Sequence, residues 1–529
     1  MKVVLRIQQI SLIALVIFVF NLGALGAQDA NTLIYGLTLD PSGFDPHINQ
    51  SAEIGIVLRQ VYDTLIYRHP ETGEFVPGLA TRWEVSEDEM TYTLYLRTDV
   101  LFHDGTPFNA TAVAVNLDRI VNPEIASQKA RYLLGSYSGY ELVDDYTIRM
   151  ILAEPYAPLL DSLSQVYLGM ASPTALAQHS TERYQFNQVG TGPYIFSDFI
   201  PGDHVALERN PAYVWGPEFY QNPSIDTIDY RFFTDPVARS LSLEGGLVDA
   251  IGEIPATDAR ILAANPDFQL IPTTIPGQPL QYMMNVTQSP TDELAVRQAL
   301  IYGANRTLIS ETVFQGFSEV AWGPLSSSTL YYSNEVVGRY DHDLEKAIDL
   351  LVQAGYEDTD ADGIRERDGQ PLTVKVIVPS WGSVPEVSQL LKDQWSLLGV
   401  ETVLEVAPTF FSVLDAVEVG EYNLVAFYSF GVDPSLLNNY YLTDAQNNWM
   451  NYSNPELDQV LEDAVRVSDP IVRAGGYQWA QTTIMDEALI LPIRDYTNLN
   501  ATNQTVQGLQ FDAYGWFPVL PNVQLDRNQ

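Results

Sequence analysis

Not one cysteine occurs in the 529 residues, which excludes disulfide staples, thiol nucleophiles, thiolate metal sites and the modified N-terminal cysteine of a lipoprotein anchor. Stability must therefore come from buried apolar surface and hydrogen bonding, for which a chain of this length, divided into two or three domains, has room. Basic residues are scarce too, with 27 Lys and Arg against 67 Asp and Glu and a formal charge of −40. Without a basic stripe to neutralise phosphates, nucleic acid is excluded as a partner, and the acidity reads as a solvated surface. The six histidines, at 47, 69, 103, 179, 204 and 342, form no His-x-x-x-His pair, so a zinc enzyme lacks ligands at the usual spacing. Gly-x-Ser-x-Gly, Gly-x-Gly-x-x-Gly and P-loop patterns are missing, as are internal repeats and low-complexity tracts. Acids are too numerous for counting to exclude a glycosidase pair, but no pattern marks one.

What is present begins at the N-terminus. Lys2 and Arg6 precede an apolar run from Ile10 to Phe20 and the small residues Gly23-Ala-Leu-Gly-Ala27, the order of a secretory signal peptide over 1–27. Whether that leader is cut or retained as an anchor stays open. Its removal takes the charge from −40 to −42, because it carries two basic residues and no acid. No other run is long and apolar enough to span a bilayer, so the mature chain is expected outside the cytoplasm and free of lipid.

Strand-like alternation marks 91–96, 147–152 and 225–232, and helical periodicity marks 110–120, 236–247, 291–302, 343–354, 384–398 and 454–467. Ser453 is placed to cap the last of these helices and Gly355 to end the one at 343. Strands alternating with helices predict an α/β fold. Gly- and Pro-rich joints at 189–193, 274–279 and 504–508 are candidate domain crossings.

Asp358, Asp360 and Asp362 alternate before Gly363 like the first half of a calcium loop, whereas the twelfth position is Gly369, with Asp368 one place early. The alternatives are a structural Ca²⁺ held by Asp358, Asp360, Asp362 and Asp368, or a solvated acidic turn; no other cofactor is called for. Aromatic residues make up 11% of the chain. Trp322, Trp381, Tyr428, Phe430, Tyr514 and Trp516 fall in predicted loops, where such rings either pack or line a ligand cleft.

Several segments resemble one family. Leu79-Ala-Thr-Arg-Trp-Glu-Val-Ser-Glu-Asp88, Tyr92-Thr-Leu-Tyr-Leu-Arg97, Val100-Leu-Phe-His-Asp-Gly-Thr-Pro107 and Asn116-Leu-Asp-Arg119 are followed by Gly190-Thr-Gly-Pro-Tyr194 and Leu207-Glu-Arg-Asn-Pro-Ala-Tyr213. Then come Tyr282-Met-Met-Asn285, Leu294-Ala-Val-Arg-Gln-Ala-Leu300, the acidic loop at 358–369, Asn451-Tyr-Ser-Asn-Pro-Glu-Leu-Asp458 and Ala488-Leu-Ile-Leu-Pro492. Over essentially the whole mature chain this pattern is similar to the extracellular solute-binding proteins, family 5, that serve peptide-type ABC importers. The Phe102–Pro107 segment has the composition of a tight turn, so His103 is expected to be architectural.

The resemblance implies a type II periplasmic-binding-protein-like clamshell with an extra inserted domain. Lobe I would comprise 28–65, 190–281 and 508–529, the insert 66–189, and lobe II 282–507. It implies a monomeric, non-enzymatic binding protein that closes about a hinge on a small solute and delivers it to permease subunits in the membrane. Short peptide is the expected cargo, with oligosaccharide next and a nickel chelate after it; from another class, a secreted glycoside hydrolase is the alternative. In peptide-binding relatives an aspartate three residues before an Asp-Pro or Glu-Pro pair holds the ligand's ammonium. Here Phe427-Tyr-Ser-Phe-Gly-Val-Asp-Pro434 puts Phe430 at that position, leaving Asp433 to substitute from a shifted one. Together with the loop aromatics, the candidate cleft residues are Trp322, Trp381, Tyr428, Phe430, Asp433 and Tyr514.

Overall fold

The computed structural model describes residues 31–527, so the expected signal peptide lies outside the described residues. The fold is mixed α/β with two lobes and an extra domain. The first lobe is built on a seven-stranded sheet in the order Phe268–Thr274, Thr497–Asn503, Ala250–Ile251, Thr32–Leu37, Thr227–Phe232, His204–Arg209, Tyr194–Ile200. Thr32–Leu37 runs parallel to Thr227–Phe232 in the middle of this sheet and buries Leu33, Tyr35 and Leu37. The second lobe has five strands, Glu401–Ala407, Thr373–Pro379, Leu424–Phe430, Gly277–Met284 and Ile490–Arg494. Its Thr-Val-Lys-Val-Ile-Val strand is β-branched at most positions and pairs in parallel on both sides, as suits a strand covered on both faces.

The extra domain is a four-stranded antiparallel sheet, Ala80–Val85, Thr91–Leu96, Thr147–Leu152, Tyr137–Asp144, backed by the helix Ala110–Val121. Thr91–Leu96 alternates as its sequence does, with Tyr92, Leu94 and Leu96 inward. Ala110, Val113, Leu117 and Ile120 form the helix's buried stripe, and Asn109 caps it by accepting from Ala112 N at 2.9 Å. The apolar core of this domain continues without a break into that of the first lobe, whereas the second lobe has a core of its own.

Three local expectations shift. The cap of the helix Pro455–Arg466 is Asn454, accepting from Glu456 N and Leu457 N, while the Ser453 hydroxyl faces Thr443. The 274–279 joint is a crossing between sheets, but the return occurs at Asp495 and Tyr496 and not near 507. Thr497–Asn503 thus pairs in the first lobe's sheet and Gly277–Met284 in the second's, against the expected boundaries at 507 and 281. Register decides this, because Thr497–Asn503 finds its hydrogen bonds along Phe268–Thr274. At the crossing the two chains run side by side, Ile275 N donating to Tyr496 O at 2.8 Å. The 189–193 joint instead packs onto the helix Ala52–Val61, where a side chain on Gly190 or Gly192 would run into its last carbonyls.

Candidate functional site

Both crossings open onto the cleft between the lobes, and there the chain gathers aromatic rings. Leu424–Phe430 ends in Tyr428 and Phe430, the second crossing supplies Tyr496, and a C-terminal loop supplies Trp516. Phe430 lies with its ring centroid 4.9 Å from that of Tyr496, 5.4 Å from Trp516 and 5.5 Å from Tyr428, within the range of favourable aromatic contact. It keeps 39% of its surface exposed, so the cluster presents a ring face to the cleft.

Two cavities flank these rings, Tyr496 lining the larger and Phe430 and Trp516 the smaller. The smaller, about 150 Å³, has one wall from the extra domain (Lys129, Tyr132, Asp161), and opposite it Phe430 and Asp433, with Tyr514 closing the end. Its carboxylates already have counter-charges. Asp433 Oδ1 accepts from Arg473 Nη2 at 2.8 Å and from Ser435 N at 2.9 Å. Burial opposes ionisation of Asp433, but Arg473 and the Ser435 N–H outweigh it and hold the carboxyl below its ordinary value. Asp161 takes Arg68 at 2.9 Å and the Tyr514 hydroxyl at 3.0 Å, and burial raises its pKa in spite of that arginine. Lys129 stands 3.9 Å from the Tyr167 ring centroid, with burial bringing its ammonium down to about 8.

The larger cavity, about 990 Å³, lies between Thr38, Arg239 and Glu253 of the first lobe and Phe314, Ser383 and Arg494 of the second. Arg239 is committed to backbone, donating to the carbonyls of Gly252, Phe233 and Glu253 at 3.0, 2.7 and 2.7 Å. Glu253 is thereby held at φ +48°, a left-handed conformation uncommon outside glycine. Behind it, Glu53 Oε1 accepts from Thr38 N, and burial together with the Glu253 carboxylate pushes Glu53 up to about 7.

Of the residues expected in the cleft, Phe430, Asp433 and Tyr514 line the smaller cavity and Tyr428 joins them through the ring cluster. Asp433 already has its counter-charge in Arg473, which counts against the shifted ammonium anchor. Trp322 and Trp381 line neither cavity. The first lies half-buried under the Arg306 guanidinium, 4.5 Å from its ring, and the second packs on the second lobe's core next to the cavity-lining Gly382. Sequence reasoning missed Glu253, Arg494 and Tyr496. For Arg494 a signal existed, a lone cation ending the apolar strand Ile-Leu-Pro-Ile-Arg in a chain short of basic residues.

In the acidic loop the carboxylates that converge are Asp358, Asp360 and Glu366, with oxygens within 4.8 Å of one another. Asp362 turns back to Ile364 N at 2.8 Å, and Asp368 sits at the turn of the hairpin pairing Arg367 with Gln370. Glu366 thus stands where the expected set had Asp362 and Asp368. His103 is architectural in its contacts, its N–H donating to Gly190 O at 2.9 Å and its Nε2 lying 3.0 Å from Gly192 O; burial lowers its pKa to about 4.

Comparison with known proteins agrees with this architecture. Residues 74–451 match the model of the bacterial extracellular solute-binding proteins, family 5. The glutathione-binding protein GsiB of Pectobacterium atrosepticum is 30% identical over 465 residues, covering 85% of each chain, and that of Salmonella typhimurium is 30% identical over 78% of this chain and 79% of its own. Among solved structures, NikA from Brucella suis in complex with Fe(III)-EDTA superposes with a TM-score of 0.84 at 22% identity, covering 94% of this chain and all of that one. DppA from Helicobacter pylori in complex with the peptide STSA gives 0.75 at 22%, covering 94% and 98%. With two lobes, an extra domain and a family match over most of its length, the chain belongs to the bacterial extracellular solute-binding proteins, family 5.

Proposed function

We propose that this protein is the substrate-binding component of an ABC importer. In this reading it is exported by its signal peptide, captures a short peptide between its lobes by hinge closure, and hands it unaltered to a membrane permease. The observation that carries the reading is the cleft at the paired crossings, where both lobes contribute rings and charged groups to the cavities on either side of the ring cluster. Clefts between domains are usual ligand sites, and rotation about a few crossing residues is a usual way of enclosing cargo. Peptide is favoured over other solutes by relatives, 30% identical, that are named for binding the tripeptide glutathione.

Oligosaccharide is the second reading, supported by the half-exposed Phe430 ring at the position where peptide binders carry an aspartate. A thermal-shift panel of dipeptides, tripeptides, glutathione, cello-oligosaccharides and a nickel chelate decides between them. A ligand at a hundredfold excess over its Kd stabilises the folded state by about 2.7 kcal/mol. Peptides are expected to raise the transition and to be recovered intact; a shift with sugars alone, or release of cleaved product, overturns the reading.

A further inference from the structure

Arg494 is 6% exposed, ends the last strand of the second lobe's sheet and lines the larger cavity. Its guanidinium carbon lies 4.0 Å from the Phe314 ring centroid and 4.5 Å from that of Tyr496, a slot between two rings. Nη1 donates to Ser318 Oγ at 3.1 Å, and Nε is buried without a hydrogen-bond partner. The adjacent Asp495 turns to Ser327, accepting from its N at 2.9 Å and its Oγ at 2.6 Å. By contrast Arg68 is matched by Asp161, Arg473 by Asp433, Arg59 by Asp512 and Arg239 by three carbonyls. With Asp495 turned to Ser327, Arg494 offers the cavity a pre-oriented cation, and a guanidinium fork suits a carboxylate.

Across the same cavity stands Glu253. Its backbone is clamped by Arg239 on the carbonyl and by Asn498 on the N–H at 3.1 Å, which holds the strained φ that carries its carboxylate into the wall. Glu53 lies behind it and Arg239 beside it, so the first lobe sets the Glu253 carboxyl opposite the second lobe's cation. Tyr496 links the two, its hydroxyl donating to Glu253 Oε1 at 3.4 Å and its ring packing on Arg494.

We propose that the larger cavity binds both charged ends of a zwitterionic peptide, the ammonium on Glu253 and the carboxylate on Arg494. The assignment rests on the peptide reading above and deepens it. It replaces the ammonium anchor that Phe430 cannot supply. It also gives closure a cause, because the two charges sit on different lobes and one ligand joins them only when the lobes are together.

The test is calorimetric titration of Met-Leu, tri-alanine and glutathione, each also as its N-acetylated and its C-amidated form, into wild type, Glu253→Gln, Arg494→Gln and Arg494→Lys. On wild type, either modification is expected to weaken binding at least about thirtyfold, the lower end for breaking a buried charge pair. Arg494→Gln is expected to lose the penalty for amidation but keep that for acetylation, Glu253→Gln to do the reverse, and Arg494→Lys to recover part of the amidation penalty. Free and modified peptides binding wild type equally overturns the assignment, and so does a variant that binds peptide while keeping the penalty it should lose. Comparison of ligand forms on wild type stands even if a variant fails to fold. Failure of every peptide to bind wild type overturns the peptide reading and the assignment together, whereas binding with indifferent ends sinks the assignment alone.

Discussion

Glu53 lies 6% exposed at the start of the helix Ala52–Val61, facing Glu253, Arg239 and Tyr35 and accepting from Thr38 N. Burial and the Glu253 carboxylate raise Glu53 from its ordinary 4.5 to about 7, and burial raises Glu253 as well, so over that range the pair holds a proton that the unfolded chain releases. The contribution to stability is complete below about pH 4.5 and is lost as pH rises through about 7. Wild type is expected to lose melting temperature over that window more steeply than Glu53→Gln. Equal slopes in thermal scans at pH 4.5, 6 and 7.5 refute the assignment of this group. Phe430 makes a second residue-scale test. Replacing it with Ala removes the central ring of the cleft cluster at a half-exposed position, so stability should hardly change while cargo affinity falls about fivefold, the scale of one lost aromatic contact. Unchanged affinity in a calorimetric titration places the cargo away from that ring.

Among the elements, the paired crossings carry the mechanical burden, and Gly277 opens the strand on the second lobe's side. Its φ of +133° is available to glycine alone, and an added side chain would run into the Ser429 carbonyl of the neighbouring strand. Gly277→Ala is expected to cost at least about 2 kcal/mol, by strain and by displacing the strand that bears Phe430. Urea unfolding measures this, and a midpoint within error of wild type removes the argument. A similar close approach explains why two of the segments resembling the family touch. The turn at Phe102–Pro107 folds back through Phe102 N donating to Thr106 O at 2.8 Å, and its His103 bonds the backbone of Gly190 and Gly192. Turn composition made the first bend legible in the sequence, but nothing local announced its docking partner.

In the whole molecule, the extra domain shares the first lobe's main core, the first lobe carries a smaller cluster around Leu243, Ile251 and Leu262, and the second lobe has a core of its own, joined to the first by two crossings. The cleft is latched at its far side, where Ser468 N and Oγ donate to Glu89 at 2.9 and 2.6 Å, Asn439 donates to the Tyr132 hydroxyl at 2.8 Å, and Ala157 N donates to Val465 O at 2.8 Å. These bonds favour closure, so Glu89→Ala is expected to weaken cargo binding about threefold through the open–closed balance, each such bond being worth about 1 kcal/mol or less. X-ray scattering should show the variant more expanded than wild type before cargo is added; matching curves would falsify the latch. Separate cores in the two lobes also predict that calorimetric unfolding departs from a single two-state transition, and that bound cargo merges the steps by coupling the lobes.

Strands such as Thr91–Leu96 and Thr147–Leu152 were legible because alternation is a local signal, and the helix stop at Gly355 because a left-handed terminus needs a particular residue there. The α/β class and the absence of thiol chemistry followed from pattern and composition in the same way. Cap identity slipped by one residue, from Ser453 to Asn454, since both are competent caps and only the chain's path selects between them. Asp433 looked like a free carboxylate until folding placed Arg473 against it, and Arg494 and Glu253 became one site only when two sheets met across a cleft. The sequence by itself determined the local conformations and the kinds of chemistry open to this protein. Tertiary structure alone decided which charges are cancelled and which face the cargo, because pairing and burial depend on neighbours far away along the chain.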